Sequence, residues 1–226
     1  MNVLVVAAHP DDEILGPGGT IALHAERGDK VYEILLGEGI TSRREEDGVA
    51  PTAELISLKQ DALKAASIIG VEKTHFFDFP DNKFDTVPRL RIIKAIEGLK
   101  NDIKPEIVYT HHRNDLSMDH RITFDAVLTA FRPVAGETVK RILSFAVPSS
   151  TEWYGAGGET AFTPNVFIDV SKTFEKKIQA MRAYKGEIRE YPHPRSPEAL
   201  EAIAKVYGTT VGLKYVEPFV LVRELG

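Results

Sequence analysis

Apolar and polar positions along this chain change period in a regular order. Residues 2–8 (NVLVVAA) form a short, continuous apolar run, which reads as a strand covered on both faces. Residues 18–27 read as a helix ending near Gly28, and 31–37 (VYEILLG) as a second strand. Over 53–69 the period lengthens. Leu55, Leu58, Ala62, Ala65 and Ile69 share one helical face, and Gly70 suits the stop. A third strand is expected at 74–79, then a helix over roughly 88–100 that buries Ile92, Ile96 and Leu99. A fourth strand at 106–110 precedes a helix from about Asp119 to Phe131. This alternation implies parallel βαβ units and an α/β fold: a Rossmann-like, doubly wound, mostly parallel sheet with helices on both faces.

Beyond Phe131 the pattern loosens. Residues 141–147 and 165–170 read as further strands, and Ser171 as the N-cap of a helix carrying Phe174, Ile178 and Met181. A helix over 197–207 and a strand over 215–224 close the chain, with Pro218 placing that strand at an edge or delaying its start. The Gly/Ser/Thr-rich stretch 148–164 reads as a long surface loop. With no repeat, low-complexity tract or linker, residues 1–226 are expected to form a single domain. LGPGGT (15–20) departs from the dinucleotide pattern because position 21 is Ile, so its glycines are expected to let a helix start close to the sheet.

Composition narrows the chemistry. The net charge of −5 gives no reason to expect nucleic acid as a partner, and no apolar stretch approaches the ~18 residues of a membrane span. There is no signal-peptide pattern at the start of the sequence, and a cytoplasmic location is expected. The 226 residues include no cysteine, so any metal must sit on His, Asp or Glu.

Four strands each run into an unusually polar loop: HPDDE (9–13), GEGITSRREEDG (37–48), DFPDNKFD (78–85) and HHRNDLSMDH (111–120). In an open parallel sheet these loops gather at the carboxyl ends of the strands, where ligands bind. The first and fourth hold five donors of metal-ligand type: His9, Asp11, Asp12, Asp119 and His120. Two histidines and a carboxylate meet the count for a hydrolytic zinc site with one open position. A spare carboxylate beside them suits a general base. Taken singly, each element also has a plainer explanation. Asp11 and Asp12 suit helix caps, and His120 suits a first-turn helix residue with a structural partner.

HPDDE after the first strand, with the later NDLSMDH, resembles the PIG-L/LmbE-like de-N-acetylases over nearly the whole chain. The resemblance implies hydrolysis of an N-acetylglucosamine-type substrate, a small N-acetylated sugar, with Zn2+ as cofactor. It implies His9, Asp12 and His120 as metal ligands and Asp11 as general base, and Asp119 is counted with the catalytic residues. It also implies a homo-oligomer, trimer or hexamer. Many members carry His-Pro-Asp-His in the later loop, where this chain reads Ser117-Met118-Asp119-His120. A serine hydroxyl cannot replace an imidazolium as a proton donor at neutral pH. His193, in the Pro-flanked EYPHPRS beside Arg195, is the candidate replacement, against a surface histidine in a turn.

The remaining substrate candidates are Arg43, Asp81, Asn82 and His112. Arg43 either holds an anionic group or belongs to a solvated charged loop. Asp81, Asn82 and Asp85 suit sugar hydroxyls or turn roles equally. His111 and His112, just after the fourth strand, are rivals to His193, one of them expected behind the metal or facing the substrate, and Trp153 and Tyr154 either stack on a sugar or pack. The alternative readings are a metal-dependent hydrolase of another amide or ester, and a non-catalytic binding protein.

Overall fold

The computed structural model describes residues 1–40, 52–155 and 157–226. Its strands are β1 (Asn2–Ala7), β2 (Lys30–Gly37), β3 (Lys73–Phe79), β4 (Ile107–His111), β5 (Arg141–Phe145), β6 (Val166–Asp169) and β7 (Val216–Glu224). They form one seven-stranded sheet in the order β3-β2-β1-β4-β5-β7-β6. The first five are mutually parallel, and β7 runs antiparallel to both β5 and β6. The helices are α1 (Asp12–Leu15), α2 (Gly18–Glu26), α3 (Thr52–Ile69), α4 (Arg89–Ile103), α5 (Met118–Ala130), α6 (Phe174–Ala183) and α7 (Pro197–Val211). The expected doubly wound, mostly parallel sheet is what forms.

The period of two along β1 explains both cores. Val3, Val5 and Ala7 enter one layer with Ile21, Leu58, Ala62, Ala65, Ile69, Ile178 and Met181. Leu4, Val6 and Ala8 enter the other with Ile92, Ile96, Val127 and Phe131. A strand buried on both sides has no polar face, hence its unbroken apolar run. Among the described residues, no helix is long and apolar enough to cross a membrane.

Two details differ from expectation. β7 is an interior strand, not an edge. Pro218 is tolerated there because it pairs with Phe167 of β6, while the ladder to β5 begins one residue later at Phe219. The residue flanking α6 is Thr173 rather than Ser171. Ser171 instead donates to its neighbour Asp169 (2.5 Å), and Thr173 Oγ1 donates to the Gly19 carbonyl (2.7 Å).

The glycine turn before α2 is clamped from below. The Glu217 carboxylate accepts from Gly19 N (2.8 Å) and Thr20 N (2.7 Å), so a built-in anion occupies this helix N-terminus. Lys177 Nζ, itself buried, donates to Glu217 (2.6 Å) and to the Leu15 and Gly16 carbonyls. A Cβ on Gly16 would lie 2.3 Å from the Phe145 ring, which is the close approach to the sheet that the glycines permit.

Glu33 of β2 is buried with only Thr74 Oγ1 donating to it (3.0 Å), and its Oε1 has no partner among the described residues. Burial raises its carboxyl from 4.5 to about 8. Between those values the native chain keeps a proton that the unfolded chain releases. The associated stability is whole below about 4.5 and is lost as pH rises through 8. Glu33→Gln is therefore expected to raise the melting temperature by several degrees at pH 8 and by far less near pH 5. Melting curves at the two pH values check this, and an equal shift at both would contradict it.

Candidate metal centre and its cleft

The polar loops meet above the carboxyl ends of β1 to β5. A cleft of about 480 Å³ opens there, lined by residues 9–12, Gly39, Asp81, Asn82, 116–118, His120, Ser149, Ser150 and Arg195. β1 and β4 are adjacent in the sheet, so the loops after them, with His9, Asp11 and Asp12 on one and Asp119 and His120 on the other, are forced together.

Asp12 is the hub. Its Oδ2 accepts from His9 N (2.9 Å) and lies 3.4 Å from His9 Nδ1 and 3.3 Å from His120 Nε2. The ligand atoms of His9, Asp12 and His120 all lie within 4.8 Å of one another. Zinc bonds of ~2.0–2.1 Å at tetrahedral angles put neighbouring ligand atoms roughly 3.3 Å apart, so this spacing fits such an ion. A second grouping, His9 with Asp81 and Asp119, is equally close. It suits a cation less, because both Asp119 oxygens already accept backbone N–H groups, from Asn82 (2.7 Å) and Phe84 (3.0 Å).

Each imidazole is held from behind. His9 Nε2 meets Asp119 Oδ2 at 2.9 Å and Asp81 Oδ1 at 3.2 Å, leaving Nδ1 toward Asp12. His120 Nδ1 meets Asp115 Oδ1 at 3.0 Å, leaving Nε2 toward Asp12. Asp115 is fully buried and also accepts from Ser150 Oγ (2.5 Å), Thr151 Oγ1 (2.6 Å) and Ser117 N (2.9 Å). Carboxylates behind histidines fix the tautomer and the ring direction that a metal site requires. Gly37 leaves room for this packing: a Cβ there would lie 2.9 Å from the Ala8 carbonyl and 3.2 Å from the His9 ring.

Charge completes the picture. Burial disfavours the charged form of His120, yet Asp12 and Asp115 outweigh it and raise its pKa to about 9. His9 is likewise raised against burial, by Asp119 and Asp12, and Asp12 is held well below its ordinary range despite burial, chiefly by His120. The cluster thus demands positive charge, which two imidazoliums supply in the bare protein and one dication would supply beside neutral imidazoles.

Asp11 occupies the N-cap position of α1 but makes no side-chain cap bond. Its φ of 106° lies in a region that L-residues avoid. Glu13 Oε2 holds its N–H (3.0 Å), and the Tyr184 hydroxyl in turn donates to Glu13 (2.5 Å). Its Oδ2 accepts from Arg195 Nη1 (2.7 Å). Burial raises its pKa most, Arg195 opposes this and Asp12 adds to it, leaving the group at about 8.

Of the residues singled out from sequence, His9, Asp11, Asp12, Asp81, Asn82 and His120 line the cleft. Asp119 is fully buried beneath it. Ser117 caps α5, its hydroxyl accepting from His120 N (3.4 Å). His193 is not among the lining residues: its Nδ1 accepts from Arg195 N (3.1 Å) and its ring faces Trp153. His112 also stays out of the cleft, against Ser144 Oγ (3.5 Å) and the Phe162 ring. Its neighbour His111 is the one at the site, stacked on His120 at 4.0 Å. His111 Nε2 accepts from Ala8 N (2.8 Å), which removes that lone pair from ligation. Tyr154 accepts from Arg121 (2.9 Å), and Asp85 is exposed in a turn. Arg43 lies outside the described residues. Asp115 stands inside the NDLSMDH motif but is given no role there, and His111 is weighed only as a pair with His112; Arg195 is marked only by its place beside His193.

The sequence model of the PIG-L family, GlcNAc-PI de-N-acetylase, matches residues 4–131, and the chain belongs to that family. Diacetylchitobiose deacetylase of Thermococcus kodakarensis is 29% identical, over 96% of this chain and 81% of that one. The 4-oxalmesaconate hydratase of Pseudomonas putida is 26% identical, over 82% of this chain and 74% of that one. A conserved protein of Thermus thermophilus superposes with a TM-score of 0.76 at 25% identity, covering 100% of this chain and 96% of that one.

Asp115→Asn is expected to weaken zinc affinity by roughly 10- to 100-fold, because His120 loses its orienting carboxylate. Competition titration against a chromogenic chelator measures it. Unchanged affinity would show that the Asp115 carboxylate does not orient His120 for a metal.

Proposed function

We propose that this protein is a zinc-dependent deacetylase that hydrolyses the acetamide of a small N-acetylated amino sugar. The observation that carries this is the convergence of His9, Asp12 and His120, their ligand atoms within 4.8 Å of one another, beside a spare carboxylate, Asp11, in a chain of the de-N-acetylase family. The curated relative that acts on diacetylchitobiose supports the substrate class.

His9, Asp12 and His120 are the residues that would hold the ion. Bound zinc acidifies water and draws electron density from the acyl oxygen. Asp11 is the general base: it takes one proton as the water oxygen bonds to the acetyl carbon and the carbonyl pair moves onto oxygen. Asp11 then returns that proton to nitrogen as the C–N bond breaks, and acetate and the free amine leave. Asp119 and Asp115 act as positioning residues through His9 and His120. Asp81 and Asn82, which line the cleft, are our candidates for binding sugar hydroxyls.

A second reading has one specific support, the hydratase among the relatives. On that reading the same base and metal would add water across an activated C=C bond.

Asp11→Asn is expected to bind zinc as the wild type does and to lose about 10²–10⁴-fold in turnover, whereas His120→Ala loses the metal. Elemental analysis and enzymatic assay of acetate from N-acetylglucosamine and diacetylchitobiose check both. Zinc-loaded wild-type protein that frees no acetate from any N-acetyl sugar, yet bleaches a conjugated enoic acid, would replace the first reading with the second.

A further inference from the structure

Hydrolysis of an amide places negative charge on the former carbonyl oxygen, and fixed donors aimed at that oxygen lower the barrier most. Asp11, Asp12 and Asp81 are ill suited to this because they are acidic, His9 and His120 are committed to a metal in the reading above, and the other donors in the lining, Asn82, Ser117, Ser149 and Ser150, carry no charge. Among the described residues, Arg195 is the only lysine or arginine lining the cleft.

Its guanidinium is held on three sides. Nε donates to Ser149 Oγ (2.8 Å), and Nη1 donates to Asp11 Oδ2 (2.7 Å) and Glu187 Oε2 (3.0 Å). The backbone is held as well. Arg195 N donates to His193 Nδ1 (3.1 Å), and the next residue, Ser196, caps α7 by accepting from Ala199 N (3.1 Å). An arginine has five N–H donors. Three are engaged, and the two on Nη2 have no partner among the described residues, on a side chain 22% exposed to the cleft solvent. A cation anchored this firmly, with donors to spare, is preorganised for an anion that appears only during reaction.

We infer that Arg195 is a further catalytic residue, its free Nη2 edge donating to the oxyanion while its Nη1 edge holds Asp11. This rests on the deacetylase reading. Arg195 changes no bond and transfers no proton, since a guanidinium stays protonated throughout. Its role is to bind the tetrahedral species more tightly than the planar acetamide.

The test uses full-length wild type, Arg195→Ala and Arg195→Lys, each assayed for zinc content, melting temperature, kcat and KM on diacetylchitobiose. Two inhibition constants are added. One is for a methylphosphonamidate analogue of the acetamide, which mimics the tetrahedral species. The other is for the amine product. Arg195→Ala is expected to keep zinc and lose roughly 10²–10³-fold in kcat, with KM changing less than about threefold. The analogue should weaken in parallel with kcat/KM while the amine product does not, and Arg195→Lys should recover part of both losses. The inference is overturned if kcat/KM stays within about threefold of wild type, or if turnover falls while analogue affinity holds, which would leave Arg195 a mere support for Asp11. Should Arg195→Ala not fold, the same proportionality in Arg195→Lys decides. Failure of the deacetylase reading would show separately, as wild type that releases no acetate.

Discussion

Everything at this site depends on one oxygen, Asp12 Oδ2. It bonds the His9 backbone and stands within 3.4 Å of His9 Nδ1 and 3.3 Å of His120 Nε2. Buried negative charge at that point is unfavourable unless matched by positive charge. The imidazoles can match it by holding protons, or can stay neutral and share a cation with it. The carboxylates behind them, Asp119 and Asp115, tune which nitrogen is presented without supplying a ligand of their own. The cleft is thus a charge trap built before any ion arrives, and its geometry follows from hydrogen bonds that the backbone already makes.

That geometry is inherited from the sheet. β1 and β4 are neighbours, so HPDDE and the loop ending in His120 need only a few residues to converge. The strained Asp11 is affordable because Glu13, Tyr184 and Arg195 over-determine it. Strain of this kind survives only where the surroundings fix it, and here it turns the Asp11 carboxylate away from helix capping and toward Arg195.

The first half of the molecule was legible because its signals are local. Strand–helix alternation from β1 to α5 follows from runs and periods within a dozen residues, and HPDDE is contiguous. What escaped depends on distance or on parity. His111 and His112 are adjacent, and only the end of β4 decides which ring turns to His120 and which to Ser144. Pro218 pointed to an edge strand or a late start, and of the two it is the late start that appears, in the ladder to β5, which begins at Phe219. Asp119 looked like a chemical carboxylate because it precedes His120. It is instead consumed by the backbone of Asn82 and Phe84, a partnership set by a loop some 35 residues away. The sequence points to His193 because an imidazole suits proton transfer, but its ring turns back onto its own turn, where Nδ1 accepts from Arg195 N.

The division of labour along the chain carries the last step. All three candidate ligands and Asp11 lie within residues 4–131, the part matched by the family's sequence model. Arg195, which holds Asp11, and Ser149 and Glu187, which hold Arg195, all come from beyond it. A metal centre tolerates little variation, since ligand count and spacing are dictated by the ion. The wall opposite is constrained only by the charge and shape of whatever reacts there. The candidate ligands and the cation thus come from different parts of the chain, the first bound by the spacing an ion requires and the second free of that constraint. The side chain that distinguishes an oxyanion-forming reaction from other water additions should therefore be sought at Arg195 and its neighbours, rather than among the ligands.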